Sequence, residues 1–190
     1  MARIVGSEPI HAGWSRLHKA TIQTDDGARI VREVEDHGNG AAVLPYDPER
    51  GVALLARQLR TGPLFAGAAD PLLLEAPAGL IDPGETSADC ARREALEEVG
   101  VRLDAVDAVA SAFSCPGVST ERLFLFLGAY QASDRIEAGG GGLAGEHEAI
   151  EVVEVALSDL ARMAEAGEVE DLKTLHLILC LRLRRPDLFG

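Results

Sequence analysis

Residues 79–101 read GLIDPGETSADCARREALEEVGV. The run from Ser87 to Val99 has no glycine or proline, and Gly100 stands where a glycine ends a helix. Thr86 is placed to cap the start, with Asp89 three positions on. On such a helix Glu94, Glu97 and Glu98 recur at i, i+3 and i+4, inside an arc of roughly 100°. Ala88, Ala91, Ala95 and Val99 form a neighbouring arc that can face a core. Like charges at this spacing repel by a few tenths of a kcal/mol per pair. Three on one face mean either a solvated acidic surface or a cation held there.

Outward from this stretch, the chain reads as a layered α/β protein. Before it, residues 52–58 (VALLARQ) and 72–76 predict strands, joined by a Gly/Pro/Ala-rich loop, and Pro77-Ala78-Gly79 breaks the second. Further upstream, the DDG at 25–27 divides two alternating segments into a hairpin, and HGNG at 37–40 turns into an apolar strand at 41–45. Residues 1–45 are too thin to bury a core alone and must pack on the rest or on another subunit. After residue 101, strands are predicted at 106–113, 123–130 and 150–155, with a CPG-containing loop at 114–122 and a flexible glycine-rich loop, AGGGGLAG, at 138–145. Ser158 is placed to cap a helix through Ala166, with Gly167 after it. An amphipathic helix over 172–185 stops at Pro186 and carries His176 on its packing side.

Composition excludes several classes. A hydrophobic share of 47% with 26% charged residues is globular, so no long disordered span is expected. A net charge of −13 argues against nucleic-acid or membrane partners, so arginines or metal ions must supply any phosphate contact. Cys90, Cys115 and Cys180 are scattered and odd in number, which fits reduced thiols in a cytoplasmic protein. No signal-peptide pattern and no apolar run near ~20 residues is present, so a soluble protein is expected.

The pattern Gly79, Glu85, Arg93-Glu94-Ala95, Glu97-Glu98 and Gly100-Val101 resembles the Nudix box at every fixed position. The resemblance implies a Nudix hydrolase: an α/β/α sandwich using Mg²⁺, with Mn²⁺ as a substitute, to cleave a diphosphate linked to a nucleoside. Mg²⁺ takes hard oxygen ligands, which suits carboxylates on a helix face. By resemblance Glu94 and Glu98 are metal ligands, joined by the Ala78 carbonyl, and Glu97 is a ligand or stands just behind one. Glu85 and Arg93 form an ion pair that orients the helix, although Glu85 could also reach a metal.

Further motifs resemble the branch of this family that hydrolyses ADP-ribose and nucleoside diphosphate sugars. They are REV (32–34), GNGA (38–41), RQLR (57–60), EAPAG (75–79), PGVSTE (116–121), AGGG (138–141), EAIEV (148–152) and KT (173–174). This implies an N-terminal β-section, residues 1–45, exchanged in a homodimer to complete the partner's site, and a hydrolase domain over 46–190. It implies Glu148 as a further metal ligand and Glu146 as catalytic base, with the two roles exchangeable. His147 departs from the Asp or Asn of relatives and either contacts the diphosphate or faces water. Arg32, Glu33, Arg60, Gly79, Leu80, Glu121 and Lys173 match substrate-contacting positions. Trp14 either stacks on the base or packs in a core or interface. A triphosphate or dinucleoside polyphosphate hydrolase, and a non-catalytic nucleotide-sugar sensor, are the competing readings.

Overall fold

The computed structural model describes residues 1–136, 139–142 and 149–190, and divides them into two compact units. The first comprises Met1–Gly40 and Ser111–Leu123. Its core element is an antiparallel meander of β1 (Arg3–Ala12), β2 (Arg16–Gln23) and β3 (Arg29–Asp36). The hairpin between β2 and β3 turns at Gly27 with φ +84°, a conformation glycine adopts without a Cβ penalty. Asp26 fixes the turn by accepting from the backbone N–H of Ala28. β1 is exposed along its whole length, and register shifts after Ile4 and Pro9 roughen this free edge. Among the described residues of the three strands only Ala20 is buried. Exposed Ile4, Val5, Ile10 and Val31 leave apolar surface uncovered.

Residues 111–123 join this unit because the Pro-Gly loop pairs with the end of β3. Glu35 donates its N–H to Val118 O at 2.8 Å and accepts from Thr120 N at 2.9 Å. The Thr120 hydroxyl donates to Asp36, and Arg122 N donates to Asn39 Oδ1. The unit therefore combines two segments distant in sequence.

The second unit comprises Ala41–Ala110 and Phe124–Gly190. Its sheet uses β4 (Gly40–Asp47), β5 (Val52–Leu59), β6 (Leu72–Glu75), β7 (Ala78–Leu80), β8 (Asp107–Phe113), β9 (Arg122–Ala129) and β10 (Glu151–Ala156). The path runs β10-β5-β4-β9-β8, with β6 on β5 and β7 on β4. β4 is buried at all eight positions, as a central strand covered on both faces must be. The helix read from the sequence, α2, spans Ser87–Val99, after a short α1 (Thr61–Phe65). Its Cys90, Ala91, Ala95 and Val99 pack with Ala41, Val43, Leu54, Ala56, Val101, Leu103, Phe126 and Tyr130 in one core. Small alanines bring the helix axis close to the sheet, which sets the depth of the glutamates beside them. α3 (Leu157–Ala166) and α4 (Leu172–Arg184) complete the unit.

Four local expectations change. α1 occupies the predicted loop after Arg60; Pro63 is tolerated because first-turn N–H groups lack helical partners anyway. Residues 78–80 form the short strand β7 instead of a plain break. Ser158 does not cap α3: the N-cap is Ala156, with Leu157 N already bonded to Gly51 O, so Ser158 falls inside the first turn. Of the glycine run expected to be flexible, Gly139 and Gly140 lie close against the end of α2, and Gly141 and Gly142 are bonded to it, as described below.

Candidate active site

α2 is fixed at both ends. Thr86 accepts from Asp89 N at 3.1 Å, and Gly100 closes the helix with φ +65°. The glycine-rich segment then seals the C-terminus: Gly141 N donates to Glu98 O at 3.0 Å and Gly142 N to Glu97 O at 3.1 Å. A Cβ on Gly100 would come within 2.4 Å of Gly139, and Gly140 and Gly141 have φ of +87° and +95°. These glycines serve close backbone approach and left-handed geometry. The rest of the loop, including Ala138, Leu143, Ala144, Gly145, Glu146, His147 and Glu148, lies outside the described residues.

One face of α2 buries two carboxylates, Glu94 at 8% and Glu98 at 4% exposure. Among the described residues, Glu98 accepts only long hydrogen bonds, from Gln58 Nε2 at 3.4 Å and from the Ala78 N–H at 3.3 Å. Burial, reinforced by the charge of Glu94, pushes the Glu98 carboxyl up to about 8. Gly79 closes the same spot, since a Cβ there would stand 1.8 Å from Glu94 Oε1. The first glycine of the quoted stretch is thus a space requirement set by Glu94.

Arg93 braces this face. Its Nε and Nη2 grip both oxygens of Glu85 at 3.0 and 3.1 Å. Nη1 donates to Glu94 at 2.6 Å and to Glu97 at 3.0 Å, and Nη2 also donates to Leu80 O. The hydrogen bond from Arg93 leads the causes that hold Glu85 below the usual carboxylate range, and Glu85 in turn accepts from Asp82 N. Cys90 is no nucleophile here: burial pushes its thiol up to about 12.

Arg60 and Lys173 converge on a residue that the sequence reading left out of the site, Glu75. Arg60 grips it through Nε at 2.9 Å and Nη2 at 2.7 Å, and Lys173 Nζ lies 2.7 Å away. Lys173 also contacts Asp171, which caps α4 by accepting from Thr174 N. The Thr174 hydroxyl then accepts from Ala76 N at 2.7 Å, tying α4 to the segment before β7. The available signal was an acidic residue closing an otherwise apolar strand, LLLE at 72–75.

Trp14, Arg32, Glu33 and Glu121 belong to the first unit. Trp14 is 80% exposed and stacks on His37. Glu121 lies 3.4 Å from His37 Nε2. Arg32 and Glu33 are exposed on β3, and Arg32 Nη1 donates to Val31 O.

Among the described residues no group of three or more His, Cys, Asp and Glu forms a ready cation cage. The donor set nevertheless suits a hard divalent ion. Two carboxylates are buried together, one with a raised proton affinity, and a cation would replace that proton.

These features define a Nudix protein. The NUDIX domain model matches residues 36–177, and the chain belongs to that family of hydrolases, which use divalent metal ions. Among similar proteins, the GDP-mannose pyrophosphatase of Yersinia pestis (strain Pestoides F) is 38% identical over 175 residues, covering 90% of this chain and 86% of the relative. The GDP-mannose pyrophosphatase of Cronobacter sakazakii (strain ATCC BAA-894) is 41% identical over 164 residues, covering 86% of this chain and 84% of its own. A crystal structure of an ADP compounds hydrolase shares the fold with a TM-score of 0.78 at 17% identity, covering 98% of this chain and 95% of that one. No helix of the described residues is long and apolar enough to cross a membrane.

Proposed function

We propose that this Nudix hydrolase cleaves the diphosphate of a nucleoside diphosphate sugar of the GDP-mannose or ADP-ribose type. Water adds to one phosphorus, the P–O–P bridge breaks, and a nucleoside monophosphate and a sugar phosphate leave as dianions with release of two protons. The observation that carries this reading is the buried Glu94–Glu98 pair beside Ala78, cleared by Gly79 and braced by Arg93. The names of the relatives favour a nucleotide sugar over other diphosphates.

Glu94 and Glu98, with the Ala78 carbonyl and Glu148, would hold Mg²⁺, or Mn²⁺ in its place. The ion would supply charge neutralisation at the diphosphate and make the attacking water more acidic. Glu97 supports the ligands, and Glu85 orients the helix through Arg93. Arg60 and Lys173 offer cationic donors to the diphosphate, with the Gly79–Leu80 backbone beside it. Glu146 takes the proton from the attacking water, and His147, next to it in sequence, either contacts the diphosphate or faces water. Trp14, Arg32, Glu33 and Glu121 serve recognition of the nucleoside. The exposed apolar residues of β1 and β3 support a homodimer in which a second copy covers the three-stranded section. Three free cysteines support a cytoplasmic setting.

The test is a panel of GDP-mannose, ADP-ribose, other nucleotide sugars, nucleoside triphosphates and dinucleoside polyphosphates with Mg²⁺, ranked by kcat/KM. Nucleotide sugars should lead; a preference for triphosphates or dinucleoside polyphosphates would overturn the reading. Glu146→Gln should lower kcat far more than metal affinity, and the reverse pattern with Glu148→Gln exchanges the two loop roles.

A further inference from the structure

Trp14 is the only tryptophan in the chain and is 80% exposed, yet it is not loose. Its ring stacks on His37 with centroids 5.0 Å apart and planes 19° from parallel. Gly13 N bonds to Ser15 O at 3.0 Å beneath it, closing the turn that carries the indole. His37 is itself fixed, with Nδ1 2.6 Å from Glu35 Oε1 and Nε2 3.4 Å from Glu121 Oε1. Glu35 is held in turn: Ser119 Oγ donates to its Oε2 at 2.9 Å, and its backbone is bonded to Val118 and Thr120.

A neutral imidazole carries one N–H and one lone pair. With a carboxylate at each ring nitrogen, a neutral ring would aim its lone pair at an anion, so this geometry selects the imidazolium, which donates on both sides. A cation against one face of an indole is favourable, and it leaves the other face available to a second aromatic ring.

We propose that His37 is a positioning residue for nucleoside recognition: strung as an imidazolium between Glu35 and Glu121, it backs Trp14 and holds the open indole face flat for a purine base. This rests on the reading of Trp14 as the base-stacking residue. The groups facing His37 are Glu35 from β3 and Glu121 from the Pro-Gly loop. Burial opposes the charge on His37, but these two hydrogen bonds outweigh it and raise its pKa above the ordinary histidine value. Asp36, next along β3, is engaged by Thr120 and Arg16 instead. His11 lies against Gly13 and His18 against Ser7, so both are further histidines near this end of the meander.

The single tryptophan makes the test direct, because an imidazolium in contact with an indole quenches its emission. Tryptophan emission of the full chain should rise as pH increases, with a midpoint above the ordinary histidine value. The step should vanish in His37→Gln, move to lower pH in Glu35→Gln and Glu121→Gln, and persist in His11→Gln and His18→Gln. GDP, and pyrophosphate as a probe without a base, are then titrated. His37→Gln should weaken GDP binding and raise the nucleotide-sugar KM about fivefold, with kcat within about twofold and pyrophosphate binding unchanged. Absence of the step in the wild type, its persistence in His37→Gln, or its loss in His11→Gln or His18→Gln overturns the proposal. Unchanged GDP affinity in His37→Gln does the same. If the step is present but GDP leaves Trp14 emission untouched, the base-stacking reading fails and the proposal with it, while the His37–Trp14 contact stands.

Discussion

Glu75 and Glu98 are both buried glutamates of the second unit, and the fold treats them in opposite ways. Burial alone pushes each carboxyl upward. At Glu75 the bidentate bond from Arg60 and the charge of Lys173 outweigh it and hold the group below its usual range. Glu98 receives two long bonds from neutral donors and the repulsion of Glu94, so it rises to about 8. Arg60 also lowers Glu98, but only as a nearby charge, because its bidentate grip is committed to Glu75. Glu75 has its cations; among the described residues Glu98 is given too few to offset its burial. Burial and charge are equal in the two cases, and the partner set separates them.

The largest effect expected from this contrast is catalytic. Glu98→Gln keeps the shape and removes the charge, so kcat with Mg²⁺ should fall by on the order of 10³-fold or more with an unchanged circular-dichroism spectrum. Near-normal turnover would remove Glu98 from the metal site. Glu75→Gln should act first on stability. It leaves Arg60 and Lys173 partly buried without their shared anion, at a cost of about 3 kcal/mol, or roughly 6–12 °C in Tm for a chain of this size. A loss below about 1 °C would mean that the Glu75 network is solvated and that the contrast with Glu98 is false. Between these lies Gly79→Ala, whose added methyl meets Glu94 at 1.8 Å. It should reduce kcat by roughly 100-fold through a displaced Glu94, at a stability cost of about 1–3 kcal/mol read by thermal melting.

The sequence made the Glu98 side of this contrast easy to see and the Glu75 side nearly invisible. α2 and its glutamates were legible because helical period, cap and terminal glycine agree within one continuous stretch. The Glu85–Arg93 pair falls in the same stretch. Glu75, Arg60, Lys173 and Asp171 come from β6, the end of β5 and α4, and only the tertiary fold brings them together. Nothing local to Glu75 says that it has partners 15 and 98 positions away. His37 was hidden for the same reason, since it reads as part of an HGNG turn and gains its role from Trp14 and Glu121. The glycine run misled in the other direction. Glycine marks permitted backbone geometry, and whether that means mobility or close packing depends on what lies beneath, which for Gly139–Gly142 is the end of α2.

The subtlest test compares the two glutamates by sign. In metal-free protein Glu98 has a folded-state value near 8, above its ordinary 4.5. Between those pH values the folded chain keeps a proton that the unfolded chain has released, so this group's contribution to stability declines as pH rises through that window. Glu98→Gln has no such proton to hold. Its stability should match the wild type near pH 5 and exceed it by about 3 kcal/mol near pH 8, which corresponds to roughly 6–12 °C in Tm. Glu75 is held below its ordinary value, so its contribution is present above about 4.5 and lost as pH falls through the folded value. Glu75→Gln should therefore remain less stable than the wild type from pH 5 to pH 8 and approach it only in acid. Melting curves in chelator at pH 4, 5, 6.5 and 8 read both trends, and using differences from the wild type cancels the repulsion common to a chain of net charge −13. Adding Mg²⁺ should reverse the Glu98→Gln advantage, because only the wild-type pair gains from the ion. Parallel pH profiles for all three proteins would show that Glu98 already has a partner, and that its burial is structural after all.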